Sequence, residues 1–329
     1  MCIRDSSIIE HGALSINSFV PFLNWFVEIF ILTLFLCYFS LEAYHMKQII
    51  FFIISIFSFL IPCGIAYLSG NEVVLNAVLL AFFIHWIAFI PAYIFQTEKF
   101  YDLTGSITYL TVVWFAFVSS YQSIFNNIGN LVLALLISFW TIRLGSFLFM
   151  RIQKDGEDKR FRTIKPSASQ FFMTWTISGT WVTLCSMCAL VAISSPYGVV
   201  MNLLTYLGII LFIFGFTIEI IADNQKSAFR SIEANKNRFI TSGLWSRSRH
   251  PNYFGEILLW FAIAVISFSS LEGIQMITLI SPLFTYFLLV YVSGVRMLED
   301  RSNKKWGNNE EYKKYKKDTP MLFPKLFNN

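Results

Sequence analysis

The sequence predicts an all-α, polytopic integral membrane protein, a helical bundle with about nine candidate transmembrane helices. Three observations carry that prediction. Apolar residues make up 56% of the 329, with 36 Phe and only 14% charged residues. Apolar runs recur at a length that crosses ~30 Å of hydrocarbon. Basic residues are gathered in a few connectors between those runs, as membrane topology requires.

The runs occupy 19–40, 48–69, 73–96, 106–122, 130–150, 169–192, 199–222, 253–269 and 274–295. Pro251 lacks a backbone N–H and has a preset φ, so it sets the entry of the eighth run at about Asn252. Three domains are expected: a non-native segment 1–6, N-terminal transmembrane helices over 7–97, and a membrane domain over 98–329. Met1–Ser6, read back through codons as ATG TGT ATA AGA GAC AG, match the end of a transposon-based sequencing adapter and are excluded from fold reasoning.

Residues 151–165 carry six Lys and Arg, 224–250 carry six and 296–329 carry nine, together 21 of the 25. Two runs separate each basic segment from the next, so all three emerge on one face. The positive-inside rule makes that face, and the C-terminus, cytoplasmic. The expected location is a bacterial inner membrane, with membrane lipids as partners. A net charge of +5, spread beside membrane runs, does not describe a nucleic-acid surface.

Several chemistries are excluded by what is missing. No Gly-x-Gly pair exists, so the usual dinucleotide and phosphate loops are absent. His-Glu-x-x-His is absent and the four histidines are scattered, which points to no metal. Cys37, Cys63, Cys185 and Cys188 lie within apolar runs and read as small buried hydrophobes. Cys2 falls in the excluded segment.

The remaining chemistry lies late in the chain. Glu219, Asp223, Lys226 and Arg230 fall along one side of a helix, either as a self-paired solvated end or as a site. A carboxylate at Glu219 would stand at hydrocarbon depth, where an idle charge is costly. Arg143 is the one basic residue deep within a run, so it pairs with a carboxylate or lines a polar cavity. Arg249-His250-Pro251-Asn252-Tyr253-Phe254-Gly255-Glu256 then places charge at a membrane boundary.

The stretch Ser242–Glu256 resembles the C-terminal signature of steroid 5α-reductase-like membrane proteins, especially their uncharacterised prokaryotic branch. Phe100–Ser106, Arg143–Phe161 and the closing segment from Arg296 extend the resemblance from about residue 98 to 324. It implies an oxidoreductase that uses NADPH to reduce a C=C bond of a lipophilic unsaturated carbonyl compound. The implied cofactor residues are Asp223, Arg230, Arg238, Gly243, Asn252, Gly255, Glu256 and Arg296, with Arg249, His250 and Tyr253 beside them. Arginine forks suit phosphate oxygens, and carboxylate and amide groups suit ribose and carboxamide. The family's carbonyl-contacting Gln-Glu pair has no match; Tyr101 and Asp102, at the expected cytoplasmic boundary, are the candidates for protonation. Arg247 has no matched position and is read as a lipid headgroup contact.

Arg249–Gly255, Glu299, Tyr312 and Tyr315 also resemble the isoprenylcysteine carboxyl methyltransferases. That resemblance implies S-adenosylmethionine instead. A non-enzymatic transporter or lipid-binding scaffold is the third reading, and it leaves the charged motifs without a role.

Overall fold

A computed structural model describes residues 45–120, 127–292 and 294–325. The apolar run 19–40 and Met1–Ser6 lie outside these residues. By internal contacts the chain divides into Met1–Ile53 and Ile54–Asn329, and the polar site of the bundle belongs to the second unit.

The protein is an all-α polytopic bundle. Eight helical segments among the described residues are long and apolar enough to cross a membrane, and they correspond to the second through ninth runs. They are α1 (His45–Leu68), α2 (Glu72–Ile94), α3 (Tyr101–Ser119), α4 (Ile128–Asp155), α5 (Ala168–Ser194), α6 (Leu203–Ser231), α7 (Pro251–Phe268) and a last, broken segment. Two short amphipathic helices, α9 (Val295–Trp306) and α10 (Glu310–Asp318), close the chain.

The starts follow from local chemistry. Asn71, Asn127, Ser167 and Asn202 each accept a backbone N–H from the first turn of the helix they precede, which satisfies donors the helix cannot. Pro251 stands at the first position of α7, as its missing N–H favours. α4 and α6 run past their apolar stretches to Asp155 and Ser231, and this carries their charged ends out of the hydrocarbon.

The last run departs from expectation. The span expected over 274–295 is not one helix: a 3₁₀ segment Gly273–Leu279 leads into α8 (Ile280–Phe287), then a π turn at Leu288–Val292. Hydrophobicity reports only that a segment crosses, not how its backbone hydrogen bonds are arranged, and π turns cannot be read from it.

α5 is the central element: nearly nine-tenths of its apolar window is buried, with Cys185, Met187, Cys188 and Leu190 fully enclosed. α6 and α7 cross in close contact where Gly215 faces Gly255. A Cβ on Gly255 would stand 2.5 Å from the Gly215 carbonyl, and one on Gly215 would stand 2.7 Å from the Gly255 carbonyl. Small residues at such crossings replace the hydrophobic effect as the means of helix association in lipid.

The three basic segments gather at one end of the bundle, as their spacing predicts. There the backbone N–H of Lys325 donates to the carbonyl of Arg247 at 3.0 Å, and Lys165 pairs with Glu98 at 2.5 Å. The opposite end is tied by uncharged groups: Asn130 spans to Ile193 and Val199, and Asn71 to Ser194.

Candidate functional site

Arg143 on α4 points into the interface with α6 and donates to both of its carboxylates. Nη1 meets Glu219 Oε1 at 2.6 Å and Nη2 meets Asp223 Oδ2 at 2.6 Å. Trp140, one turn earlier on α4, donates its indole N–H to the other oxygen of Glu219 at 3.2 Å. Asn252 on α7 donates to Asp223 Oδ1 at 3.1 Å. One guanidinium and two carboxyl groups thus share a buried network, with Glu256 within electrostatic reach of both carboxyls.

This arrangement removes the self-paired reading of the α6 stripe. Glu219 and Asp223 pair across helices with Arg143, not along α6 with Lys226 and Arg230. Helical spacing made both pairings possible, but i,i+4 pairs are worth only tenths of a kcal/mol. A buried carboxylate needs a nearby, well-aligned cation.

The network is incomplete by itself. Asn252 Oδ1, Glu256 Oε1, Thr141 Oγ1 and the Trp260 indole N–H are buried without a hydrogen-bond partner. The Tyr109 hydroxyl is likewise buried without a hydrogen-bond partner. Trp140, Trp260 and Tyr109 pack on one another beside these atoms, with ring centroids 5.0–5.5 Å apart. Buried polar atoms are almost always satisfied, so several unsatisfied ones together indicate a place for a polar ligand or ordered water.

Toward the basic end, the stripe continues into a cluster of cations. Arg151 on α4 is close enough to influence Lys226 and Arg230 on α6, and also Asp102 and Tyr253. Lys226 lies over the Trp245 ring at 4.6 Å.

The signature segment has a different task for its first residues. The Arg249 guanidinium grips Glu299 with Nε and Nη2, each at 3.0 Å, and gives Nη1 to the carbonyls of Lys316 and Thr319. His250 Nε2 meets the same carboxylate at 2.9 Å, so it carries the proton. Nδ1 is then a bare, buried acceptor with no partner. Burial holds His250 below the ordinary imidazole range, although Glu299 pulls the other way. The Tyr315 hydroxyl donates to the Trp245 carbonyl at 2.6 Å, and Tyr312 and Tyr315 both pack on Phe239. Arg249 is thus chiefly the clamp that holds the C-terminal segment over the connector.

The other predicted residues sort by place. Asp223, Asn252 and Glu256 converge on the network, Gly255 lets α6 approach it, and Arg230 belongs to the cation cluster. Gly243 sits at φ +62°, where a Cβ would meet Gln225 at 2.5 Å; it makes the turn that Gln225 holds by accepting the Leu244 N–H. Tyr253 packs against Val290, Val295 and Leu322. Arg238 is exposed on the connector. Arg296 is exposed, its guanidinium 4.1 Å over the Tyr291 ring. The Tyr101 ring is wedged edge-on between Phe161 and Trp175, and its hydroxyl donates to the Thr174 carbonyl. Asp102 faces Arg151 and Arg160. Trp140, Tyr109 and Trp260 were not singled out from the sequence, because an aromatic in an apolar run looks like any other core residue.

Comparison with known families matches residues 88–319 to the family described as "Protein of unknown function (DUF1295)". The chain belongs to that family. Searches of curated proteins and of solved structures return no match.

Proposed function

We propose that the chain is an NADPH-dependent membrane reductase of the steroid 5α-reductase-like kind, saturating a C=C bond in a lipophilic carbonyl compound. One observation carries this reading. A membrane-depth network of Arg143, Glu219, Asp223 and Asn252 leaves polar atoms unsatisfied and leads directly to cations gathered from two helices.

The residues fit the cofactor. Arg151, Lys226 and Arg230 supply positive charge for phosphates, which no apolar ligand would require. Asn252 Oδ1 and Glu256 Oε1 are acceptors suited to ribose hydroxyls or a carboxamide. His250 Nδ1 is a third acceptor. When bound, NADPH supplies the hydride.

The chain's own contribution is positioning. Arg143 fixes Asp223 through one oxygen, which in turn orients Asn252 through the other. The Tyr109 hydroxyl, buried and within electrostatic reach of Glu256, is the better-placed proton holder. Tyr101 is already committed to Thr174, and Asp102 to the arginines. The basic end is assigned to the cytoplasm, where NADPH is available.

Thermal unfolding of detergent-purified protein tests the reading, because a ligand that binds only the folded state raises the melting temperature. NADPH is expected to stabilise, less so in high salt as exposed charge contacts are screened. S-adenosylmethionine has no phosphate for the cation cluster to meet. Stabilisation by S-adenosylmethionine and not by NADPH would replace this reading with the methyltransferase.

A further inference from the structure

A second concavity lies on the other side of α7. Its wall on that helix is the stripe Phe254, Ile257, Phe261 and Val265, and its wall on α8 includes Leu283 and Tyr286. The stripe is angularly separate from Asn252 and Glu256 at 3.6 residues per turn, so the groove is distinct from the polar network. It encloses about 740 Å³. From Phe254 to Phe268 it follows α7 for roughly 21 Å at 1.5 Å per residue, more than the ~15 Å of one leaflet.

The groove's mouth is chemically different from its walls. Tyr286 at the lining packs edge-on against Tyr291 with ring centroids 6.2 Å apart and lies within electrostatic reach of Arg296. Arg296 is exposed and, among the described residues, forms no ion pair; its guanidinium stacks on Tyr291. Across the mouth, Phe323 lines the groove and packs edge-on against Phe254 at 5.8 Å. Two residues further on, Lys325 is tied to Arg247. Aromatic and basic side chains at the edge of an apolar slot are what an anionic lipid meets at a membrane boundary. A partner helix is a poorer occupant, because close helix packing in lipid requires small residues and these walls are mostly Phe, Leu and Ile.

We propose that this groove is a binding site for an anionic phospholipid, with an acyl chain between α7 and α8 and the headgroup phosphate at Arg296. The bound chain would press on Phe323, so the lipid would also hold the C-terminal segment that Arg249 clamps. The site does not depend on the reductase reading.

The test uses the full chain purified in detergent, incubated with phosphatidylglycerol or with phosphatidylcholine of the same chains, and read by native mass spectrometry. One phosphatidylglycerol should be retained at least ~10-fold more strongly than phosphatidylcholine, as a charge-assisted phosphate contact implies. Arg296→Gln should bring phosphatidylglycerol down to the phosphatidylcholine level. Leu283→Trp, at a position 69% exposed and so harmless to folding, should plug the groove and abolish retention of both lipids. Val265→Trp plugs it from the opposite wall and should do the same. Equal retention of the two lipids by the unmodified chain, or unchanged retention in both plugged variants, would overturn the proposal. So would retention of neither lipid by the unmodified chain.

Discussion

Two regions of the bundle bury polar side chains, and they treat them in opposite ways. Between α1, α2 and α5, His85 gives its Nδ1 proton to the Ala81 carbonyl at 2.9 Å and receives the Ser178 hydroxyl on Nε2 at 3.0 Å. Trp86 donates to Thr176, and Thr180 to the Ser58 carbonyl. These groups are neutral and nearly closed on themselves; the indole nitrogens of Trp175 and Trp181 are the unpaired atoms there among the described residues. Between α4, α6 and α7 the groups are charged, and acceptors remain over. The first region closes its hydrogen bonds between helices; the second leaves acceptors over, as the proposed function requires.

The largest expected effect separates these regions by stability. Arg143→Ala would leave Glu219 and Asp223 buried without their cation, at a cost of about 3–5 kcal/mol. Ser178→Ala in the neutral region should cost only ~0.6 kcal/mol, the typical size of an interhelical hydrogen bond in lipid. Denaturant titration in mixed micelles compares the two, and equal costs would remove the distinction.

Ligand affinity gives the next contrast. Arg230→Ala and Arg151→Gln should each weaken NADPH binding by roughly 10- to 150-fold with little change in folding. Arg238→Ala, exposed on the connector, should weaken it less, and Arg247→Ala hardly at all. Equilibrium titration of nucleotide fluorescence measures this series; identical losses at all four would indicate a diffuse basic surface.

A smaller effect concerns pH. The native His250 pKa lies below its unfolded value of about 6.5, so the unfolded chain binds more protons as pH falls. Stability from this group is fully present above about pH 6.5 and is lost as pH drops toward the native pKa. Melting temperatures should therefore fall over that window, and His250→Gln should flatten the slope. An unchanged slope in that variant would assign the titration to another group.

Much of the fold was legible because burying apolar length in lipid leaves a one-dimensional trace. The eight described spans, the Pro251 start and the shared basic end all follow from it. The breaks in the last span were not legible, since 3₁₀ and π turns change hydrogen bonding without changing composition. At the site, Arg143 and Glu219 could be found because isolated charges at membrane depth demand partners. Their pairing could not, because Asp223 stands one helical turn from Lys226 but 80 residues from its actual partner Arg143. The structural task of Arg249 was hidden for the same reason: Glu299 and the Lys316 and Thr319 carbonyls lie far along the chain.

The central claim is that the unsatisfied region carries out reduction, and isotope transfer tests it most directly. Membranes containing the protein would be supplied with NADPH deuterated at the transferable position, together with a lipid extract, and the lipids analysed by mass spectrometry. The account predicts a lipid that gains one deuterium and one solvent proton, and loses that label when Arg230 is replaced by Ala. No deuterium in any lipid, with a labelled methyl group transferred from S-adenosylmethionine instead, would contradict it.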